Sequence, residues 1–277
     1  MKNFKKYNLE LKIGVIVILL FILWCISWLV YSFIFKATKS GAYFPQMSIE
    51  SELLSPGSAY LLGTDIYGRS VLEVLSAGLL YSLGIGLVVS FLSASIGVAV
   101  AKFSASKDGI YSTIFDSITN LVFVFPSILI AIIFMSFLGQ SFWGLVAVMV
   151  FTGWPGYAKV AKGEIKRVMS LSFYESAEAL GMSEFRRFFK IIIPSIMPVV
   201  IIQLVLGMSG VIVSESVLGF LGLGGSEYSW GALLANAKTV LLEAPYLSVV
   251  ISATMAIMII GLNLLGDGLR DYLDPKK

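Results

Sequence analysis

Four polar side chains stand inside otherwise apolar runs: the carboxylate Glu215 and the amides Asn120, Gln203 and Asn263. An ionised group at mid-bilayer costs about 2.5 to 3.5 kcal/mol on insertion scales, so a carboxylate kept in such a run has a partner or a task. Glu215 precedes Gly219-Phe220-Leu221-Gly222 near the end of its run. It is a candidate to line the outer mouth of a pathway, where it would meet a cationic substrate group, or else to pack helices together. Gln203, Asn263 and Asn120 are the other pathway-lining candidates, with interhelical hydrogen bonding as their alternative role. Other chemistry is excluded by composition. The chain has no histidine and one cysteine, Cys25, so a Ser/His protease, a zinc site and a His-ligated haem all lack their essential side chains. No G-x-x-x-x-G-K-[ST] loop is present to cradle a nucleotide. The chain reads as a non-catalytic protein with no metal site and no cofactor of its own, and any ATP and Mg would be bound by partner subunits.

The elements that position these groups follow from hydropathy. Of 277 residues, 57% are hydrophobic and 13% charged, with mean hydropathy +0.90. A soluble domain carries about 25% charge. Disorder and nucleic-acid binding are excluded by the same numbers. Crossing about 30 Å of hydrocarbon takes roughly 20 helical residues, and six spans are expected, near 13–35, 77–101, 112–138, 141–160, 194–218 and 244–266. Gly139-Gln140-Ser141 breaks the third from the fourth, Pro126 should kink the third, and Pro155 should bend the fourth. The leader with Lys2, Lys5, Lys6 and Lys12 resembles a secretory signal, but the apolar run after it exceeds the roughly 7 to 15 residues of a signal core. It reads as a retained first span. With the N-terminus inside, inner segments hold sixteen Lys and Arg and outer segments four, Lys36, Lys39, Arg69 and Lys238. The positive-inside rule then places both termini in the cytoplasm.

Three stretches outside the spans are long enough to carry function: an outer one from Lys36 to Ser76 with loop-like composition, an inner one from Lys159 to Lys190, and an outer loop from Gly222 to Glu243. In the inner stretch, Ser172-Phe173-Tyr174-Glu175 reads as a capping box opening a short helix, from about Leu171 to Leu180, that Gly181 closes in the left-handed conformation. Ser183 is placed to cap a second short helix, and Pro194 to start the fifth span. Ten residues, roughly 15 Å, are too few to cross a membrane. With Phe173, Tyr174, Ala177 and Leu180, the first helix is also too apolar to remain in water. It requires a groove on another protein, or lies on the membrane surface as a linking hairpin.

Glu175-Ser176-Ala177, Gly181 four residues on, Ile191 and then Pro194 have the spacing E-A-A-x-x-x-G-x9-I-x-L-P, with Ser176 for the middle Ala and Ile193 for the Leu. This resembles the signature of ABC importer permeases. Leu62-Gly63-Thr64-Asp65 with Gly68-Arg69, Gly153-Trp154-Pro155-Gly156-Tyr157-Ala158-Lys159, Gly219 to Gly224 with Ser229-Trp230-Gly231, and Asn263 to Asp271 closing with Leu273-Asp274-Pro275 narrow it. Together, across roughly Leu61 to Pro275, they are similar to the C-type permease of dipeptide, oligopeptide and nickel importers. That family frequently carries Asp where Asn120 stands.

The resemblance implies an all-α polytopic permease of a bacterial or archaeal inner membrane, with a cytoplasmic coupling helix. It implies as partners a homologous B-type permease, two ATP-binding cassette subunits and an external substrate-binding protein, within membrane lipid and with no nucleic acid. Glu175, Ser176, Ala177, Gly181, Ile191 and Pro194 would couple the chain to an ATPase subunit through the 171–193 loop. The expected organisation is a leader, first span and outer segment over 1–76, a five-helix core over 77–266 interrupted by the coupling loop 161–193, and a cytoplasmic tail over 267–277. Peptide is the expected cargo, with nickel or a metal chelate as the alternative. A self-sufficient secondary carrier is the rival class, and it would need ionisable groups near the midplane.

Overall fold

Lipid leaves backbone amides no solvent to bond, so apolar runs of this length must satisfy them within helices. The computed structural model describes residues 9–36, 45–105 and 109–273, and its regular structure is helical apart from one isolated bridge between Thr64 and Ser70. The helices are α1 (Leu9–Tyr31), α2 (Val71–Ser104), α3 (Gly109–Val124), α4 (Ser127–Leu138), α5 (Phe142–Met169), α6 (Ser172–Ala179), α7 (Glu184–Arg187), α8 (Ile193–Phe220), α9 (Trp230–Thr239) and α10 (Pro245–Leu273). Lys2, Lys5 and Lys6 of the leader, Lys39, Lys107, and Asp274, Pro275, Lys276 and Lys277 of the tail lie outside the described residues.

Four stretches are long and apolar enough to cross a membrane: Leu9–Ile34, Val71–Ser104, Glu184–Phe220 and Pro245–Leu273. The pair Ser112–Val124 and Ser127–Leu138, bent by 78°, makes a fifth if taken as one span. Pro126, expected to kink a helix, therefore breaks it: it stands as the N-cap of α4, where its missing N–H interrupts the ladder. α5 has the length, at 28 residues, but its Gly153–Lys159 stretch contains Trp154, Pro155, Tyr157 and Lys159, and it is not among the apolar candidates. The expected second short helix is one turn, α7, and it runs through a π turn, Phe188–Ile192, into α8 without a loop. The last helix continues past the expected boundary at 266 to Leu273.

α2 is the central strut. It packs along α5 and α8, α8 packs on α10, and α10 on α1. The close approach of α2 and α5 needs Gly97, where a Cβ would sit 2.6 Å from the Tyr157 Cβ and 2.9 Å from the Trp154 carbonyl. Trp28, Trp154 and Trp230 are buried in the bundle. Trp230 is a core residue, its Nε1 donating to the Leu75 carbonyl at 3.2 Å.

The stretch before α2 is a built platform. Asp65 Oδ1 accepts from the Tyr67 and Arg69 amides at 2.9 Å each, and Oδ2 from Arg69 Nε at 2.8 Å. Arg69 is 1% exposed and lies over the rings of Tyr67 and Tyr228. The Tyr246 hydroxyl of α10 donates to the carbonyls of Leu54 and Thr64, 2.9 Å each, which ties the platform to the bundle. Within the expected outer loop 222–243, Ser229 caps α9 by accepting from the Ala232 amide at 3.2 Å. Burial raises the Tyr228 phenol above its usual pKa, with Glu227 adding to the shift and Arg69 opposing it.

Candidate functional site: a neutral cavity within the bundle and an exposed helix at its end

The first site is a cavity of about 250 Å³ between α2, α4, α5 and α8. Its polar lining comes from Ser93, Ser127, Thr152, Tyr157, Gln203 and Ser214, and Gly153, Gly156, Gly207 and Gly210 make the room. No carboxylate, lysine or arginine is among the described lining residues. The Ser93 hydroxyl, on a residue 1% exposed, has no hydrogen-bond partner among the described residues, and a buried donor left so costs about 1 to 3 kcal/mol. Tyr157 hangs from α5 across to α8, where its hydroxyl lies against Gly207. Such a wall offers hydrogen bonds to a polar solute without trapping it by charge.

The four polar residues singled out in the sequence separate here. Gln203 lines the cavity. Asn263 accepts a hydrogen bond from Ser209 Oγ at 2.8 Å, joining α8 to α10. Asn120 is exposed on α3 and is not in the cavity lining. Glu215 is 0% exposed, with Ser216 Oγ 3.5 Å from its Oε2. Its neighbour Ser214 lines the cavity and Glu215 does not, because successive helical residues point about 100° apart. Glu215 sits where the end of α8 packs on α9, close enough that Gly231 lies directly on the Ser216 carbonyl. Tyr157, Ser93, Thr152 and Gly207 were not singled out as pathway groups. The one sequence signal was the small and hydroxyl residues of the Gly153–Lys159 motif.

The second site is α6, beside the C-terminal end of α2, where Tyr174 joins the cluster of Ala101 and Ala105. Leu171 is its N-cap and no side-chain cap bond is made, so the expected capping box of Ser172 and Glu175 does not form: the helix opens one residue early and Ser172 is already helical. Ser183 does hold the N-cap position of α7, again without a side-chain bond. The other end of α6 is as expected. Gly181 has φ +77°, its amide donates to the Glu178 carbonyl and the Met182 amide to the Ala177 carbonyl, both 3.0 Å, the paired bonds of a Schellman stop.

Glu175, Ser176 and Gly181 are exposed and Ala177 half-buried, while Tyr174 is the one buried residue of α6. Ile191 lies in the π turn, half-buried against the cluster formed by Ala101, Ile165 and Ile196, and Pro194 is exposed at the start of α8. Apolar side chains around this helix face outward, Phe173 at 50%, Leu180 at 87% and Phe185 at 66% exposure. Nearby, Asp116 of α3 pairs with Lys162 of α5 and accepts from Ser104 Oγ of α2 at 2.5 Å.

Known proteins resemble this chain in sequence and in fold. Residues 86–277 match the family described as binding-protein-dependent transport system inner membrane component. The glutathione transport system permease protein GsiD of Pectobacterium atrosepticum is 31% identical over 80% of this chain and 74% of its own. The dipeptide transport system permease protein DppC of Alkalihalophilus pseudofirmus is 28% identical over 99% of this chain and 88% of its own. An inward-facing MetNI methionine ABC transporter superposes with TM-score 0.60 at 15% identity, covering 70% of this chain and 93% of that one, a likeness of fold. The chain is therefore a transport component and not an enzyme, a multi-pass protein of the inner membrane, and it belongs to the family of binding-protein-dependent transport system inner membrane components.

Proposed function

We propose that this subunit forms half of the pathway through which an ATP-driven importer moves short peptides, and that α6 is the helix through which an ATPase subunit drives it. The carrying observation is the pairing of a charge-free polar cavity against the middle of α2 with an exposed apolar helix beside the C-terminal end of the same strut. A peptide crossing as a zwitterion meets hydroxyls and one amide and no fixed charge, so it is guided without being held. The peptide reading is supported by the names of the DppC and GsiD relatives. Nickel or a metal chelate is the alternative cargo.

In this reading α5 is a sixth span, its polar face turned to the cavity, and both termini with α6 lie in the cytoplasm as the basic inner segments favour. The platform at 45–70 and α9 then face the external binding protein. Glu175, Ser176, Ala177 and Gly181 meet the ATPase, and Ile191 and Pro194 set the exit of the loop into α8. The second half of the pathway comes from a homologous B-type permease, and two ATPase subunits supply ATP and Mg. ATP-driven closure shifts the inward- and outward-open populations only through a helix that binds the partner differently in the two states.

The test is reconstitution of this chain with its partner permease, ATPases and binding protein in proteoliposomes, scoring uptake of a labelled dipeptide, a longer peptide and nickel. Peptide uptake that requires ATP, the binding protein and all subunits supports the reading. Nickel uptake alone replaces the cargo, and uptake by the chain without ATPases replaces the mechanism.

A further inference from the structure

We propose that Arg187, held against both Glu178 and the Tyr174 ring, forms a clamp that makes α6 rigid with the membrane helix α8, and that these are the positioning residues through which motion of α6 reaches the pathway. The inference rests on the reading of α6 as the ATPase-driven helix. α6 is eight residues long, and one of them, Tyr174 at 3% exposure, is buried. A helix of two turns held by one side chain would pivot about that side chain when pushed. What opposes pivoting is Arg187. Its Nη1 lies 3.0 Å from Glu178 Oε1, and its guanidinium sits 5.1 Å over the Tyr174 ring. The two contacts are four residues apart on α6, so they grip one face of the helix at two points, about 6 Å along its axis.

Arg187 is placed to transmit force. It is 9% exposed, and it ends α7, which continues through the π turn into α8 with no loop between them. α8 in turn carries Gln203, Gly207, Gly210 and Ser214 into the cavity wall. The chain of rigid parts therefore runs from α6 through Tyr174, Glu178 and Arg187 to the cavity. Tyr174 packs in the cluster of Ala101, Ala105, Ile165 and Val168 at the ends of α2 and α5, whereas Glu178 and Arg187 line a pocket of about 230 Å³ beside it, so apolar packing fixes the Tyr174 end of α6 and the ion pair the other. Lys102 Nζ lies 4.9 Å over the Phe188 ring. None of the three residues belongs to the E-A-A-x-x-x-G positions expected to meet the ATPase, so the clamp and the docking surface are separable by mutation.

The test uses the complete reconstituted transporter and reads uptake per ATP hydrolysed, which a role in folding alone would not move. Glu178 is 42% exposed on its side chain, so Glu178→Gln is expected to fold and assemble. In Glu178→Gln and Arg187→Gln, uptake per ATP falls about fivefold, the change corresponding to about 1 kcal/mol of lost coupling for a partly exposed pair. The double reversal Glu178→Arg with Arg187→Glu returns the ratio to within about twofold of the wild type, which separates charge pairing from lost packing. An unchanged ratio in both single variants overturns the clamp, and so does failure of the reversal to restore it. A cross-link from Ala177→Cys to an ATPase subunit checks the other reading separately. Its absence in an active transporter overturns the docking of α6, whatever the clamp variants do.

Discussion

The Tyr157 hydroxyl of α5 occupies the space in which any side chain at Gly207 of α8 would sit, and Ser90 Oγ lies 3.6 Å from the same point. Two helices that line one cavity are thereby locked at a distance set by a hydroxyl against bare backbone. Overpacking a site of this kind costs about 1 to 3 kcal/mol. Gly207→Ala is expected to lower the melting temperature of the purified transporter and to splay α5 from α8. Tyr157→Phe in the same chain removes the colliding oxygen and is expected to recover most of the loss. Equal stability of Gly207→Ala and wild type, by thermal unfolding in lipid nanodiscs, would show that the helices are free to part at this point.

Gly181 gives a sharper separation of folding from function. Its φ of +77° is closed to proline, and its amide donates to the Glu178 carbonyl, a bond proline cannot make. Nothing lies within 4 Å of a Cβ built there, so Gly181→Ala meets only the backbone cost of the left-handed region, about 1 kcal/mol. Gly181→Pro is expected to insert and to reach normal abundance, because the residue is outside every span, and to lose most peptide uptake while ATP hydrolysis continues. Gly181→Ala is expected to retain at least half of the uptake. Normal uptake by Gly181→Pro would show that the Schellman stop has no part in coupling.

The Tyr246 hydroxyl shares one proton between the Leu54 and Thr64 carbonyls and so ties the platform to α10. Removing it costs about 1 kcal/mol. The loss is local, since the Asp65–Arg69 turn does not depend on Tyr246. Arg69 is the one trypsin site among residues 45–70 and is 1% exposed. Tyr246→Phe is therefore expected to raise the rate of tryptic cleavage after Arg69 about fivefold under native conditions, following the opened population. An unaltered cleavage rate would mean that the turn, not the tether, protects Arg69.

What the sequence made legible depended on range. Uncharged runs located α1, α2, α8 and α10, because lipid forces a long apolar segment to be helical whatever surrounds it. Gly181 was readable as a left-handed stop for the same local reason. The N-terminus of α6 was not: Ser172 and Glu175 have the spacing of a capping box, yet Leu171 takes the cap position. The platform looked like a loop because what orders it, Tyr246 on Thr64, joins residues 182 apart. The placements of Glu215 and Tyr157 rest on equally distant contacts. The carboxylate is turned into the α8–α9 contact, and a tyrosine in a Gly-rich motif supplies a cavity hydroxyl.

Asp116 and Lys162 yield the last prediction, because their contributions to stability are unequal although they form one pair. Lys162 has one partner in view, and the pair is partly open to solvent, with side-chain exposures of 20% for Lys162 and 38% for Asp116. Screening holds the worth of such a pair below about 1 kcal/mol. Asp116 also accepts from Ser104 Oγ at 2.5 Å, so it joins α3 to α2 as well as to α5. Lys162→Ala is expected to cost less than about 1 kcal/mol, and the deficit should shrink as salt is raised. Asp116→Ala removes both links and strands a half-buried ammonium, for a cost of about 1 to 3 kcal/mol that salt does not abolish. Thermal melts of the two variants at low and high salt check the order. If Lys162→Ala were the more damaging, the bond from Ser104 to Asp116 would contribute nothing, and α3 would be held by the ion pair and by the Ser112 hydroxyl on the Ser104 carbonyl.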